Sequence, residues 1–228
     1  GRDDDTLARI GDFVELHVEQ GFAMADADRY DQSRAAVGVG TDIWPHGRWR
    51  LDFGGTANHA GTTRLADRDD AMLTCAAAIS LARNLAAQHG CVATVGKLQV
   101  IPNGVNAIPS HVTAWLDARA DDEQAVLAMI ADFTQQVAGS VAQESWTPTT
   151  RFDGSLTARL KGVLGDVPVL GTGAGHDAGI LANAGTRSAM LFVRNPTGVS
   201  HSPAEFADQV DCHAGVEALI DVLRELAG

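Results

Sequence analysis

The sequence predicts an α/β protein in which a ferredoxin-like βαββαβ module interrupts a second α/β layer. Three observations carry this expectation. Between residues 48 and 152, alternating strand segments and two long helical segments follow in the order β-α-β-β-α-β. On either side, residues 1–40 and 153–228 mix strand, loop and helix signals, as an α/β layer split by an insertion would. The chain can also bury a core of ordinary size, with 228 residues, 45% of them hydrophobic and 20% charged.

Residues 12–18 read as a strand that ends at Gln20-Gly21. The stretch 21–47 is polar, glycine-containing and without a period, and is expected to be loop or linker. Residues 48–53 alternate and stop at Gly54-Gly55, a half-buried strand. Residues 65–89 form an Ala-rich run without proline, a long helix stopped by Gly90. Two strands follow at 92–100 and 111–119, the first closed by Pro102-Asn103-Gly104. Asp121-Asp122 opens a second helix over roughly 122–139, with acids where the helix dipole favours them. A short strand at 145–152 completes the module. Beyond it, 162–175 is turn-rich, 188–193 is an apolar run suited to a strand covered on both faces, and 210–226 is an amphipathic helix. The expected domains are thus 1–40 with 153–228 and an inserted 41–152, with hinges near 36–47 and 150–156.

Charge and composition exclude several function classes. With 17 Lys and Arg against 29 Asp and Glu the net charge is −12, the wrong sign for a nucleic-acid binder and the right one for metal cations. No run of 18 apolar residues occurs, so no membrane span is expected. Cys75, Cys91 and Cys212 are odd in number and far apart, which indicates neither a disulfide framework nor a thiolate zinc site and fits a cytoplasmic compartment. Residues 1–5 are polar and acidic with no secretory signature, as expected of a processed or excised chain.

Histidine carries the chemical signal. His17, His59, His176 and His201 each sit in a dense polar or glycine context. Neutral imidazole combined with carboxylates suits Zn²⁺ or Mn²⁺. By position alone, His17 at a strand end and His201 in a Pro-containing loop are either ligands or hydrogen-bonded structural groups. His59 and His176 default to turn or supporting roles, Asn106 to a turn, Arg119 to a surface ion pair and Cys75 to the core. Gly171-Thr172-Gly173-Ala174-Gly175 lacks both the P-loop Lys and the spacing of a dinucleotide fingerprint. Ser155 and Ser202 lie outside any G-x-S-x-G elbow.

Five motifs in fixed order carry a resemblance. They are Glu15-Leu16-His17-Val18-Glu19-Gln20-Gly21, His59-Ala60-Gly61-Thr62-Thr63, the segment from Asn103 to Pro109 followed by Asp117-Ala118-Arg119, Gly175-His176-Asp177-Ala178, and Ser200-His201-Ser202-Pro203-Ala204-Glu205. Together they resemble the dinuclear-metal amidohydrolases that include N-carbamoyl-L-amino-acid hydrolases, allantoate amidohydrolases and β-ureidopropionases. The resemblance implies a metallohydrolase α/β domain carrying a ferredoxin-like lid that also makes a homodimer. It implies that His17 binds one of two divalent metal ions (Zn or Mn) and His201 the other. It implies that Gln20, Asn106 and Arg119 contact a small-molecule carboxylate substrate, Arg119 by a bidentate fork. His59 would be catalytic, stabilising the oxyanion from its own or the partner subunit, and His176 would only support the site.

In that family the remaining metal ligands and the general base lie in an earlier segment, the base beside a second Glu. No Glu-Glu pair occurs in these 228 residues, so the chain is expected to be the C-terminal portion of such an enzyme. Metal-dependent hydrolysis of a linear ureido or carbamoyl C–N bond is the leading expectation. A non-catalytic binding and dimerisation module derived from such an enzyme is the second. A related aminoacylase or dipeptidase is the third, disfavoured by resemblance alone through Glu19-Gln20.

Overall fold

A computed structural model describes residues 2–26 and 35–228. In chain order the elements are α1 (Asp4–Leu7), β1 (Asp12–Val18), β2 (Val37–Ile43), β3 (His46–Gly54), β4 (Asn58–His59), α2 (Ala71–His89), β5 (Val92–Ile101), β6 (Ala107–Ile108) and β7 (His111–Arg119). They continue with α3 (Glu123–Gln136), β8 (Ser140–Thr147), β9 (Thr150–Arg151), α4 (Gly154–Leu164), β10 (Val169–Thr172), α5 (Asp177–Asn183), β11 (Arg187–Val193) and α6 (Gln209–Ala227). The chain forms two compact units, Gly1–Ile43 with Thr150–Gly228, and Trp44–Thr149. The crossings fall at 43/44 and 149/150, against the 40/41 and 152/153 expected from sequence.

The first unit is a mixed sheet in the order β1-β11-β2-β10, with β9 also pairing β2. β1 runs parallel to β11 and β10 parallel to β2, while β11 and β2 are antiparallel. Alternation along β11 serves two cores. Ala189 and Leu191 face Leu156 and Leu160 of α4 and Ala218 and Val222 of α6. Met190 and Phe192 face the opposite layer, with Met24, Phe152, Leu170 and Ala178. A strand covered on both faces must be apolar at every position, which is why 188–193 reads as a continuous run.

The second unit is an antiparallel sheet in the order β5-β7-β3-β8 with α2 and α3 on one face. β7 alternates strictly, Val112, Ala114, Leu116 and Ala118 facing the helices. On α2 the residues Ala71, Cys75, Ala78, Ala82 and Leu85 recur at helical spacing and pack under Trp49, Leu51 and Phe53 of β3. Asp70 and Asp122 cap α2 and α3 by accepting the N–H of Met72 and Gln124. Gly90 ends α2 at φ 69°, as the sequence required.

Four readings need correction. The expected loop over 21–47 contains β2, which sits inside the sheet; residues 27–34 of it lie outside the described residues. Gly38 and Gly40 disguise this strand, because large neighbours occupy their side-chain space. A Cβ on Gly38 would meet Leu170 Cδ2 at 3.0 Å, and one on Gly40 would meet Met190 Cβ at 2.9 Å. The helix expected from 65 starts at Ala71, because residues 65–67 form a separate 3₁₀ turn and Asp70 is extended. The strand expected at 145–152 is two strands in different sheets, β8 and β9. The turn-rich 162–175 contains the end of α4 and all of β10, so irregular backbone is limited to 165–168 and 173–175.

Candidate functional site

β1 brings the first candidates together. Phe13, Glu15 and His17 are alternate residues and therefore share a face. Phe13 packs in the core that includes Ala178, so Glu15 and His17 point toward the layer holding α5. His176 is the N-cap residue of α5. Its ring meets His17 edge to face at 4.7 Å and Phe192 at 6.0 Å between centroids. Among the described residues, Glu15, His17 and His176 form a cluster whose potential ligand atoms lie within 4.8 Å of one another.

Hydrogen bonds set the state of both rings. His17 Nδ1 lies 2.7 Å from the Val18 carbonyl, which can only accept, so Nδ1 carries the proton and Nε2 the lone pair. His176 Nδ1 lies 3.4 Å from Glu15 Oε1, while Glu15 Oε2 accepts the Ala178 N–H at 2.7 Å. The His176 side chain is 2% exposed, and its Nε2 has no hydrogen-bond partner among the described residues. Burial, and then the neighbouring His17, push its imidazole below the usual value against the pull of Glu15, which keeps the ring neutral at neutral pH. Two imidazoles, one with an orphaned buried nitrogen, and a carboxylate beside them fit a divalent metal.

The loop carrying His201 leaves the same end of the sheet. β1 and β11 are parallel and in register at Val18 and Val193, and the Glu19 N–H donates to the Val193 carbonyl at 2.8 Å. Buried Asn195 then organises the next turn, its Oδ1 accepting the N–H groups of Thr197 and Gly198. The Phe22 side chain abuts Gly198, so the loops after β1 and β11 touch. His201 has φ 56°, unusual for a residue with a side chain, and its N–H donates to Glu205. Gln20 follows in the β1 loop, where Glu19 is buried and accepts the N–H groups of Ala23 and Met24. His201 is not part of the Glu15, His17 and His176 cluster.

The other candidates belong to the second unit. β4 pairs with β6 as His59↔Ala107, and the Ala60 N–H donates to the Asn106 carbonyl, so residues 47 positions apart become neighbours. His59 Nδ1 accepts the Gly61 N–H at 3.0 Å, which puts the proton of the neutral ring on Nε2. Arg119 is elsewhere. It ends β7 opposite His46 and Val92, whereas the β4–β6 ribbon joins the sheet at the His111 end. Nine strand residues separate these ends, roughly 26 Å at 3.3 Å per residue. Arg119 is gripped by Asp117, Nε to Oδ1 at 2.6 Å and Nη2 to Oδ2 at 2.8 Å. Burial raises the Asp117 pKa, but Arg119 and then Arg48 hold it below the ordinary 3.8.

Comparison with known proteins now decides the family, since residues 6–225 match peptidase family M20/M25/M40. The chain belongs to that family. Among M20 relatives, it is 31% identical over 261 residues to a probable allantoate deiminase of Oryza sativa subsp. japonica, covering 96% of this chain and 52% of the relative. It is 33% identical over 237 residues to an N-carbamoyl-L-amino acid amidohydrolase of Geobacillus stearothermophilus, covering 94% and 54%. The fold matches an amidase of the hydantoinase/carbamoylase family from Burkholderia vietnamiensis with a TM-score of 0.82 and 28% identity, over 94% of this chain and 54% of that one. The chain thus spans about half the length of the M20 relatives it matches.

Glu15 is not among the residues the sequence singles out, and His176 is expected there only to support the site; the structure places both beside His17. The period-two spacing of Phe13, Glu15 and His17 was the available signal for Glu15. Nothing local brings residue 176 to residue 17; only strand pairing and the packing of α5 do that.

Proposed function

We propose that this chain is part of a metal-dependent amidohydrolase that cleaves a linear ureido or carbamoyl C–N bond in a small carboxylate substrate, such as an N-carbamoyl-L-amino acid or allantoate. The observation that carries the reading is the convergence of His17, Glu15 and His176 beside the adjoining loops of Gln20 and His201. Membership of the M20 family and relatives named for allantoate and N-carbamoyl amino acid chemistry support the substrate class.

His17 and His201 would each hold one of two divalent ions, Zn²⁺ or Mn²⁺. Such ions, when bound, polarise a carbonyl oxygen and lower the pKa of water. The chain's own residues do the rest. Gln20 contacts the substrate beside His17. His59 donates from Nε2 to the oxygen on which charge develops, because its Nδ1 is already an acceptor. Asn106, fixed beside it by the β4–β6 ribbon, binds the ureido group. Arg119 holds the substrate carboxylate, steadied by Asp117.

A small substrate cannot reach both ends of β7. The distance between the ribbon and Arg119 therefore supports a homodimer through residues 44–149, in which one copy supplies Arg119 and the other His59 and Asn106.

A panel of N-carbamoyl-L-amino acids and allantoate, assayed for ammonia release with the whole natural polypeptide and added Zn²⁺ or Mn²⁺, tests the proposal. Turnover that falls on His17→Ala supports it. Tight substrate binding without turnover favours instead a non-catalytic binding and dimerisation module, a reading that the absence of a Glu-Glu pair in residues 1–228 keeps in play.

A further inference from the structure

We propose that Phe22 and Phe206 are specificity-determining residues that receive an apolar substrate side chain, so that the whole polypeptide favours N-carbamoyl-L-amino acids with large apolar side chains over allantoate. This rests on the reading above and deepens it by naming the substrate class.

Phenylalanine is a core residue in most proteins. This chain has seven. Phe53, Phe133, Phe152 and Phe192 are buried, and Phe13 packs against the core of Met190 and Phe192. The other two, Phe22 and Phe206, are 50% and 51% exposed among the described residues. Phe22 lies two residues past Gln20 in the loop after β1. Phe206 lies five residues past His201 in the loop after β11. Both loops leave the same end of the sheet, since β1 and β11 are parallel and in register at Val18 and Val193. The two exposed phenylalanines thus fall on the two loops that carry Gln20 and His201. Apolar surface left in water is a driving force for any ligand that covers it.

The Phe22 ring is held in place from two sides. Glu19 accepts the N–H groups of Ala23 at 2.7 Å and Met24 at 3.0 Å, and Met24 is buried, so the loop closes inward on Met24 and leaves Phe22 outside. On its other side Phe22 lies against Gly198, where a Cβ would meet Phe22 Cβ at 3.0 Å and Cδ2 at 3.4 Å. Gly198 has φ 66°, and its N–H donates to Oδ1 of the fully buried Asn195 at 3.0 Å. Phe206 follows Glu205, which accepts the His201 N–H and donates its own N–H to the Ser202 carbonyl at 2.9 Å. Aromatic side chains on loops fixed in advance lose little entropy when a ligand arrives. They reward each methylene a substrate brings, whereas the ureido groups of allantoate would lose hydrogen bonds to water against them.

The test is kcat/KM of the whole natural polypeptide, with Zn²⁺ or Mn²⁺ added, for N-carbamoyl-L-phenylalanine, N-carbamoylglycine and allantoate. The wild type should favour the phenylalanine substrate about ten-fold or more over each of the others. Phe22→Ser and Phe206→Ser should each lower that ratio several-fold, mainly through the KM of the phenylalanine substrate, and Phe22→Leu should keep most of it. The ratio separates recognition from a merely structural role, because a misfolded fraction lowers every rate alike. Val210→Ser, which removes an exposed apolar side chain from α6, should leave the ratio unchanged. Far-UV circular dichroism checks folding, and Phe22→Thr replaces the serine variant if that one unfolds. A wild type that favours glycine or allantoate, a ratio unmoved in either serine variant, or a change in subunit association without a change in the ratio would each overturn the proposal. Turnover without preference for the apolar side chain would sink this inference and leave the amidohydrolase reading standing. If no substrate is turned over, the amidohydrolase reading falls, and calorimetric binding of N-carbamoyl-L-phenylalanine against N-carbamoylglycine decides this inference by the same ratio.

Discussion

Under the proposed function, Arg119 is a substrate ligand held in place before the substrate arrives. A guanidinium on a flexible stem loses much rotamer entropy when it binds, and the two bonds Arg119 donates to Asp117 remove that freedom in advance. Arg119→Lys in the whole polypeptide should raise KM about ten-fold or more, since one charge-assisted contact is worth about 1.5–3 kcal/mol. An unchanged KM would remove Arg119 from the site. Asp117→Asn should raise KM several-fold with little change in kcat, and should lower stability by roughly 1 kcal/mol for so partly exposed a pair. The pH dependence has a definite sign. Asp117 is held below 3.8 in the folded chain, so its contribution is present above that value and is lost as pH falls through the depressed folded value. The melting-temperature gap between wild type and Asp117→Asn should therefore be full at neutral pH and close in acid. A gap that persists in acid would mean that the carboxylate charge is not its source. The motif Asp117-Ala118-Arg119 and an ion pair at Arg119 were legible in the sequence, since residues two apart on a strand share a face; the two-bond geometry of that pair was not.

Elements were legible where caps and periodicity agreed. α2 and α3 begin at aspartate caps, and β7 and α6 match their expected spans to within a residue. Gly90→Ala isolates the cost of the left-handed cap, because a Cβ there meets nothing within 4 Å. It should destabilise the chain by about 1–2 kcal/mol in chemical denaturation. Gly215→Ala tests the opposite situation. Its Cβ would come within 2.5 Å of Val193 Cγ2, where α6 lies on β11, and overpacking there should cost about 1–3 kcal/mol. Equal stability of the glycine and alanine forms at 215 would mean that α6 packs further from the sheet. β2 was invisible for the same reason that Gly215 is needed. Where neighbours fill the space, glycine is required, and in a sequence such a glycine looks like a turn.

At the scale of the whole molecule, the separation of Arg119 from the His59 and Asn106 ribbon along β7 makes a prediction about assembly. In the whole polypeptide, His59→Ala and Arg119→Ala should each be inactive alone. Mixed and allowed to exchange subunits, they should recover up to about a quarter of wild-type activity, since half the dimers are hybrid and each hybrid carries one intact site. No recovery under proven exchange would place all three residues in one protomer's site. The sequence by itself determined the α/β class, the inserted βαββαβ order, the acidic surface and the set of motifs, because each is written in local periodicity, charge and turn chemistry. Tertiary structure alone decided which chemical groups meet. Glu15 faces His176 across 161 positions because α5 packs on the face of β1 where Phe13 and His17 also point. Arg119 and His59 lie apart because one nine-residue strand is stiff and extended. Pairing between distant segments is set by burial of whole faces, and no local pattern of residues encodes the partner that a face will find.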